Sequence, residues 1–262
     1  LTIGGGIYNK GVLFSFNPVG NIYSVLLDFD GINKGQFPAG SLLQASNGLL
    51  YGMTLGGGIN NQGVIFSFNP VGNVYSKLFE FDIINGAIPR GNLIQANNGL
   101  LYGIAEDGGL NNTGVLFSFN TAGNVYSKLF DFGNTNGAYP YGSLIQADNG
   151  LLYGMSSGGG SNGRGVLFSF NPTGNIYSTQ IDFDGTNGGG PSGSLSQVSN
   201  GLLYGMTTYG GIYGNGVIFD FNPITNGYNK IRDLESPDGI TPFHSAFIEV
   251  PVISTDSVST NY

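Results

Sequence analysis

The chain has 262 residues, a length that suits one domain or two. Glycine supplies 47 of them, charged residues 9% and aromatics 13%, while tryptophan and cysteine are absent; this excludes simple disorder, a collagen period, disulfides, thiol catalysis and zinc-thiolate sites. Sixteen acidic against eight basic groups, a net charge of −8, disfavour nucleic acid as a partner, and no run approaches the ~18 apolar residues of a membrane span.

No stretch reads as a signal peptide, and Leu1 in place of Met reads as a processed product or a cut-out fragment. In chain order, Leu1-Thr2-Ile3-Gly4 matches Met53-Thr54-Leu55-Gly56, the end of a second strand in the units that follow. Gly-Val-(Leu/Ile)-Phe begins at Gly11 and recurs at Gly63, Gly114, Gly165 and Gly216, spaced 52, 51, 51 and 51 residues. The extra residue falls in the loop 31–35. Leu-Tyr-Gly recurs with Tyr51, Tyr102, Tyr153 and Tyr204, always 51 apart, and Pro38, Pro89, Pro140, Pro191 and Pro242 keep the same register. Such a period is the signature of a repeat architecture.

Within a unit the period is two: Val64, Phe66 and Phe68 alternate with Ile65 and Ser67, as on a strand. Turn signals divide the unit into four strands, for instance 92–96, 100–104, 114–119 and 126–132. No stretch offers a capped amphipathic helix. Four strands in about 50 residues is the arithmetic of a propeller blade. The final segment, 242–250, matches a first strand, so it and the N-terminal residues each supply part of one blade. The expected fold is therefore all-β: a five-bladed β-propeller of four-stranded antiparallel blades, one closed by N- and C-terminal strands. It spans 1–250, and the Ser/Thr-rich 251–262 reads as a polar tail or linker.

The pattern Leu-Tyr-Gly-Met-Thr-x-x-Gly-Gly, with Gly-Val-x-Phe, resembles the tandem repeats of the Gloeo/Verruco (GloVer) family of bacterial secreted and surface proteins. The resemblance covers nearly the whole chain, although this sequence has Gly-Val-Leu-Phe-Ser where family repeats usually read Gly-Thr-Val-Phe-Lys. It implies a propeller and an extracytoplasmic address, and it brings no catalytic residues. The order of strands and turns is also similar, more loosely, to the NHL propeller repeat.

Chemistry is expected on the face carrying the long loops, those joining strand two to three and strand four to the next blade. The fourth strands end in Asp28, Glu80, Asp131, Asp182 and Asp233, with Asp30, Asp82, Asp184 and Glu235 beside them. Fivefold repetition suits carboxylates that brace glycine-rich loops; the loop at 182–187 has a calcium-loop flavour but lacks the distal Glu of an EF-hand. A glycosidase needs two carboxylates about 5–9 Å apart, usually breaking the repeat. The best symmetry breakers, Glu106 and Asp107, are adjacent and have no second unique acid on the axis. The only histidine, His244, reads as structural or solvated. Ser67, Ser118 and Ser169 recur without a base and read as sheet-face residues, and the glycine triplets precede no helix or P-loop lysine. Gln44, Gln95, Gln146 and Gln197, with Ile248 in the fifth place, read as a hydrated channel lining. No cofactor and no metal are expected.

Variation concentrates around the register prolines: Phe37, Ile88, Tyr139, Gly190 and Thr241 before them, and Ala39, Arg90, Tyr141, Ser192 and Phe243 after them. Tyr8, Lys10, Arg164, Tyr209 and Tyr213 vary likewise in the two-to-three loops. Aromatic, amide and acid groups together suit sugar or peptide recognition; drift in exposed loops is the plainer account. The expected ligand-binding residues are Phe37, Arg90, Tyr139, Tyr141, Tyr209, Tyr213, Asp82 and Asp184. The expected function is a non-catalytic, lectin-like binding module for a glycan or protein ligand. It would be a monomeric domain of a larger secreted or surface protein, without membrane insertion. A glycoside-hydrolase-like enzyme and a spacer in a larger adhesin are the alternatives.

Overall fold

The computed structural model describes residues 1–243 and 245–250. His244 and the expected tail, 251–262, lie outside the described residues. Among the described residues there is no α-helix; eighteen strands form five antiparallel sheets, and Ser236–Asp238 makes one 3-10 turn.

The N-terminal sheet pairs β1 (Val12–Asn17) with β2 (Ile22–Asp28). Four full blades follow, each a four-stranded meander in chain order. The first has β3 (Leu43–Gln44), β4 (Leu50–Met53), β5 (Val64–Asn69) and β6 (Val74–Glu80). The second has β7 (Ile94–Gln95), β8 (Leu101–Ala105), β9 (Val115–Asn120) and β10 (Val125–Asp131). The third has β11 (Ile145–Gln146), β12 (Leu152–Ser156), β13 (Val166–Asn171) and β14 (Ile176–Asp182). The fourth has β15 (Ser196–Gln197), β16 (Leu203–Met206), β17 (Val217–Asn222) and β18 (Gly227–Asp233). This is the architecture of a β-propeller, built from tandem repeats.

The period-two pattern works because each of the first three full blades is sandwiched between two neighbouring sheets. Val64, Phe66 and Phe68 of β5 pack back onto Leu13 and Phe29, while Ile65, with Tyr51 and Met53, packs forward onto Leu101, Phe117 and Phe119. The same alternation repeats at the next two junctions. Each buried Phe contributes about 1.5–3 kcal/mol. Glycine opens every third strand for a steric reason: Gly63 has φ +102°, and a Cβ there would strike the Thr54 carbonyl and sit 3.0 Å from Pro89 Cδ. Gly-Val and the register proline are thus two sides of one contact.

The expected closure forms only in part. Thr2 bridges Val12 as Thr54 meets Val64, and Leu1 packs on the core beneath Phe66. At the other end the Ser245 carbonyl accepts the Ser194 N–H at 3.0 Å, and the Phe247 carbonyl accepts the Ser196 hydroxyl at 2.8 Å. Residues 245–250 therefore lie along the fourth blade. No ladder joins them to Leu1 or to β1 among the described residues. In the register of the repeat, Leu1 stands in the place of Met53.

Four tyrosines tie each fourth strand to the preceding long loop. Tyr75, Tyr126, Tyr177 and Tyr228 donate their hydroxyls to the carbonyls of Lys34, Asn85, Asn136 and Asn187. Burial pushes all four phenols well above their ordinary value, and the charges of Asp30, Asp82 and Asp184 add to this at Tyr75, Tyr126 and Tyr228. A raised phenol favours the folded state's protonated form. Its stabilisation is complete below the unfolded value near pH 10 and declines as pH rises beyond it. We expect stability, measured by urea unfolding, to fall steadily above pH 10. Tyrosinate absorbance of these four should appear together with loss of far-UV β signal, not before it.

Candidate functional site

The residue before each register proline sits in the left-handed region: φ is +59° at Phe37, +54° at Ile88, +55° at Tyr139, +59° at Gly190 and +49° at Thr241. Bulky or β-branched residues there carry strain of about 1–3 kcal/mol, sustained only by surrounding bonds. Those bonds are present: the N–H groups of Phe37, Ile88, Tyr139, Gly190 and Thr241 donate to the carbonyls of Lys10, Gln62, Thr113, Arg164 and Asn215. The turn delivers the next residues to the axis.

There a cavity of about 380 Å³ is lined by Ile3 and by residues 39–41, 90–92, 141–143 and 192–194. Its base is backbone. A Cβ on Gly40, Gly91, Gly142 or Gly193 would run into the carbonyl of Gly91, Gly142, Gly193 or Ser245 in turn. Polar side chains link the same steps: Asn92 Oδ1 accepts the Ser41 N–H at 2.6 Å, and the hydroxyls of Ser143 and Ser194 accept the N–H groups of Asn92 and Ser143, each at 2.9 Å.

The side chains on the wall break the symmetry. Arg90 pairs with Glu106, a buried carboxylate, and its guanidinium lies 5.6 Å from the centre of the Tyr141 ring. Tyr141 bonds to Glu106 and faces Phe243 with ring centres 6.3 Å apart. Burial raises the Tyr141 phenol, helped by the Glu106 charge; burial also raises the neighbouring Asp107 carboxyl, with Glu106 adding to it and Arg90 opposing. The Arg90–Glu106 contact spans sixteen residues, and the same offset joins Ser192 to Thr208 through hydroxyls 3.0 Å apart. The residue after the proline and the residue after strand two are therefore partners. Glu106, singled out in the sequence only as a catalytic acid, is the partner that sequence reasoning missed. The fixed sixteen-residue separation of two opposite charges was the available signal.

Of the other expected binding residues, Arg90 and Tyr141 line the cavity and six do not. Phe37 and Tyr139 are exposed outside it. Tyr209 packs on Gly189 and Gly190, where no Cβ would fit, and Arg164 lies 5.9 Å above its ring; Tyr213 is exposed. Asp82 and Asp184 serve their own loops. Asp82 accepts the Asn85 N–H at 2.7 Å, and Asp184 accepts N–H groups of Thr186 and Asn187, which hold its carboxyl below the usual range. The bracing expected of the repeated acids is present in all five copies: Asp28, Glu80, Asp131, Asp182 and Asp233 accept the N–H groups of Ile7, Ile59, Leu110, Ser161 and Ile212.

The glutamines join neighbouring blades: the side-chain carbonyls of Gln95, Gln146 and Gln197 accept the N–H groups of Ser46, Asn97 and Asp148 at the preceding blade's Asn-Gly turn. In the fifth place Glu249, not Ile248, accepts the Ser199 N–H at 2.9 Å. Pro242 still packs near Gly216, so the register advances by one residue between Pro242 and Ser245.

Because Arg90 is partly exposed, its pair with Glu106 is screened, and a double-mutant cycle of Arg90→Ala and Glu106→Ala should give a coupling of about 1 kcal/mol in urea unfolding. A coupling indistinguishable from zero would show that the pair does not set the wall.

The comparisons with known proteins agree with this architecture. Similar solved structures include an extracellular domain of BT4673 from B. thetaiotaomicron, with TM-score 0.58, 13% identity, and coverage of 89% of this chain and 29% of that one. A chain of a nidogen/laminin complex matches with TM-score 0.55 and 14% identity over 91% of this chain and 80% of that one. TolB from Acinetobacter baumannii matches with TM-score 0.53 and 11% identity over 84% and 48%. The chain thus spans about half of TolB and under a third of the BT4673 domain. At these identities the likeness concerns the fold. No curated protein sequence matches. The Gloeobacter/Verrucomicrobia repeat matches residues 1–126 and 94–250, and the chain belongs to that repeat family.

Proposed function

We propose that this chain is a non-catalytic recognition module and that its ligand-binding site is the axial cavity with the Arg90–Glu106–Tyr141 wall. One observation carries the reading: in a molecule whose framework repeats every 51 residues, the unrepeated side chains of Arg90 and Tyr141 face the same cavity from neighbouring blades, with Glu106 holding Arg90 in place. Its chemistry suits a hydroxyl-rich group. Arg90 offers N–H donors, Asn92 and the serines at 41, 143 and 192 offer small polar groups, and Tyr141 offers ring surface. A saccharide end fits these features, and a peptide side chain with the same groups is the second source of ligand. A solved relative in fold that is a nidogen/laminin complex supports keeping a protein ligand in view.

An extracytoplasmic setting, secreted or on the surface, is part of the same proposal; it draws support from the repeat family and from the extracellular BT4673 domain among the similar folds. So does a closed ring of five blades, for which the count of five sheets speaks. A hydrolase is disfavoured because Glu106 is already engaged by Arg90 and Tyr141, and Asp107 is adjacent to it in the chain rather than across a substrate.

The test is a glycan array followed by calorimetry with the best-binding oligosaccharide. Tyr141→Ala should weaken binding at least tenfold while stability changes by about 0.5–1 kcal/mol, as for a partly exposed side chain. Tyr213→Ala should leave affinity unchanged. Binding indifferent to Tyr141→Ala would move the site elsewhere. Turnover of aryl glycosides would make the chain an enzyme, and absence of any ligand would leave the spacer.

A further inference from the structure

Asparagine stands before glycine ten times in the chain, and that step is chemically labile. With no side chain in the way, the glycine nitrogen can attack the asparagine Cγ. The new N–Cγ bond closes a five-membered succinimide, the Cγ–Nδ2 bond breaks, and Nδ2 leaves as ammonia carrying the glycine proton. Water then opens the ring at either carbonyl and leaves aspartate or isoaspartate. The fold decides which steps react, because closure needs a free side-chain amide and a chain able to rotate it against the next nitrogen.

Nine of the ten steps are held. In the turns between strands one and two, the amides of Asn47, Asn98, Asn149 and Asn200 donate to the hydroxyls of the repeat tyrosines at 2.8 to 3.0 Å, and each accepts the N–H two residues on. The glycines that follow give their own N–H groups to backbone carbonyls. In the long loops Asn85, Asn136 and Asn187 tie their amides to Asp82, to the Gly133 N–H and to the Asp184 N–H, and the glycines after them are buried. Asn162 donates to Asp182 at 3.4 Å, with the Gly163 N–H held by the Gly160 carbonyl. Buried Gly216, after Asn215, donates to the Gly210 carbonyl.

Asn226-Gly227 is held by none of these. It sits at the tip of the hairpin joining β17 to β18, where residues 224–227 are all exposed. Among the described residues the Asn226 side-chain amide has no hydrogen-bond partner, and a Cβ on Gly227 would meet only the Thr225 hydroxyl, at 3.2 Å. The other outer hairpins show what the repeat does elsewhere. Asn21, Asn73, Asn124 and Asn175 hold the same left-handed place, with φ from +52° to +55° beside +58° at Asn226. Each is followed by a β-branched residue, Ile22, Val74, Val125 or Ile176, whose side chain obstructs attack on the amide before it. Only the fifth hairpin puts glycine there. We propose that Asn226 is a self-modification site: in the folded chain it converts to aspartate and isoaspartate, moving the net charge from −8 to −9. Isoaspartate also adds a backbone carbon to the turn that the Asn222–Gly227 pair closes.

The experiment incubates the whole 262-residue chain in mildly alkaline buffer and follows each Asn-Gly peptide by digestion, chromatography and mass spectrometry. The folded chain should lose the Asn226 amide at least tenfold faster than that of any other asparagine before glycine, with aspartate and isoaspartate both formed. Asn21, Asn73, Asn124 and Asn175 should stay intact. In concentrated urea the ten steps should converge on similar rates, because the protection of nine belongs to the fold. Gly227→Val gives the fifth hairpin the residue found at Val74 and Val125, and it should slow conversion of Asn226 at least tenfold. Gly227 is exposed, so the change removes no core packing. If Asn226 survives in the folded chain while it converts in urea, the proposal fails. It also fails if another Asn-Gly step matches Asn226 in the folded chain, or if Gly227→Val leaves the rate unchanged. A spread of rates that persists in urea would place the selection in the sequence alone and overturn it as well.

Discussion

A blade of this protein has no interior of its own. Four short antiparallel strands leave two faces, and each face finds apolar cover only on a neighbouring blade. Phe66 and Phe68 turn backward while Tyr51, Met53 and Ile65 turn forward, so one blade's wedge of aromatics is the next blade's wall. That dependence explains why the repeat keeps its aromatic positions and why Phe79 stacks on Tyr126, and Phe130 on Tyr177, with ring centres 3.9 and 3.8 Å apart. It also explains where order of packing ends. Phe14 and Phe16 carry the same side chains as Phe66 and Phe68, yet among the described residues Phe14 is half-buried and Phe16 exposed, so burial follows from position and not from chemistry.

Glycine imposes the second requirement. Loops built from glycine pairs bury little apolar surface, so their shape must come from bonds to backbone N–H groups. The acids at the ends of the fourth strands provide these bonds, one per loop, and Lys77, Lys128 and Lys230 sit against three of them. Carboxylates committed in this way have little capacity left for a ligand. The same logic removes Asp82 and Asp184 from the candidate site and leaves the unrepeated pair Glu106 and Asp107 as the acids with a different surrounding.

Much of this was legible in the sequence because it depends on local periodicity. The 51-residue spacing, the alternation at Val64, Phe66 and Phe68, and the Asn-Gly turns specify strands, sheet order and the all-β class without knowledge of contacts. The bracing role of the fourth-strand acids was legible too, from their fivefold recurrence. What was not legible depends on which groups meet across blades. The repeat places Gln95 in the first strand but does not show the bond by which its amide reaches the preceding blade's turn 49 residues back. The one-residue advance before Ser245 shifts the fifth copy from Ile248 to Glu249, a slip that the proline register hides. The Arg90–Glu106 pair joins the residue after a register proline to a loop sixteen residues on, and only their opposite charges, at positions that both break the repeat, hint at it in the sequence.

The axial cavity follows from these constraints together. Glycine at 40, 91, 142 and 193 lets successive first strands approach until carbonyls touch the space a side chain would fill, so the base of the cavity cannot vary without parting the blades. The positions just after the prolines escape that restriction, because the left-handed turn before each proline is held by main-chain bonds and makes no demand on the side chain that follows. Ala39, Arg90, Tyr141 and Ser192 differ in size, charge and polarity on the same backbone. A new wall residue then needs one adjustment, at its partner sixteen residues on, as Arg90 with Glu106 and Ser192 with Thr208 illustrate. The scaffold thereby separates what must repeat from what is free to differ, and places the free positions around a single concave space.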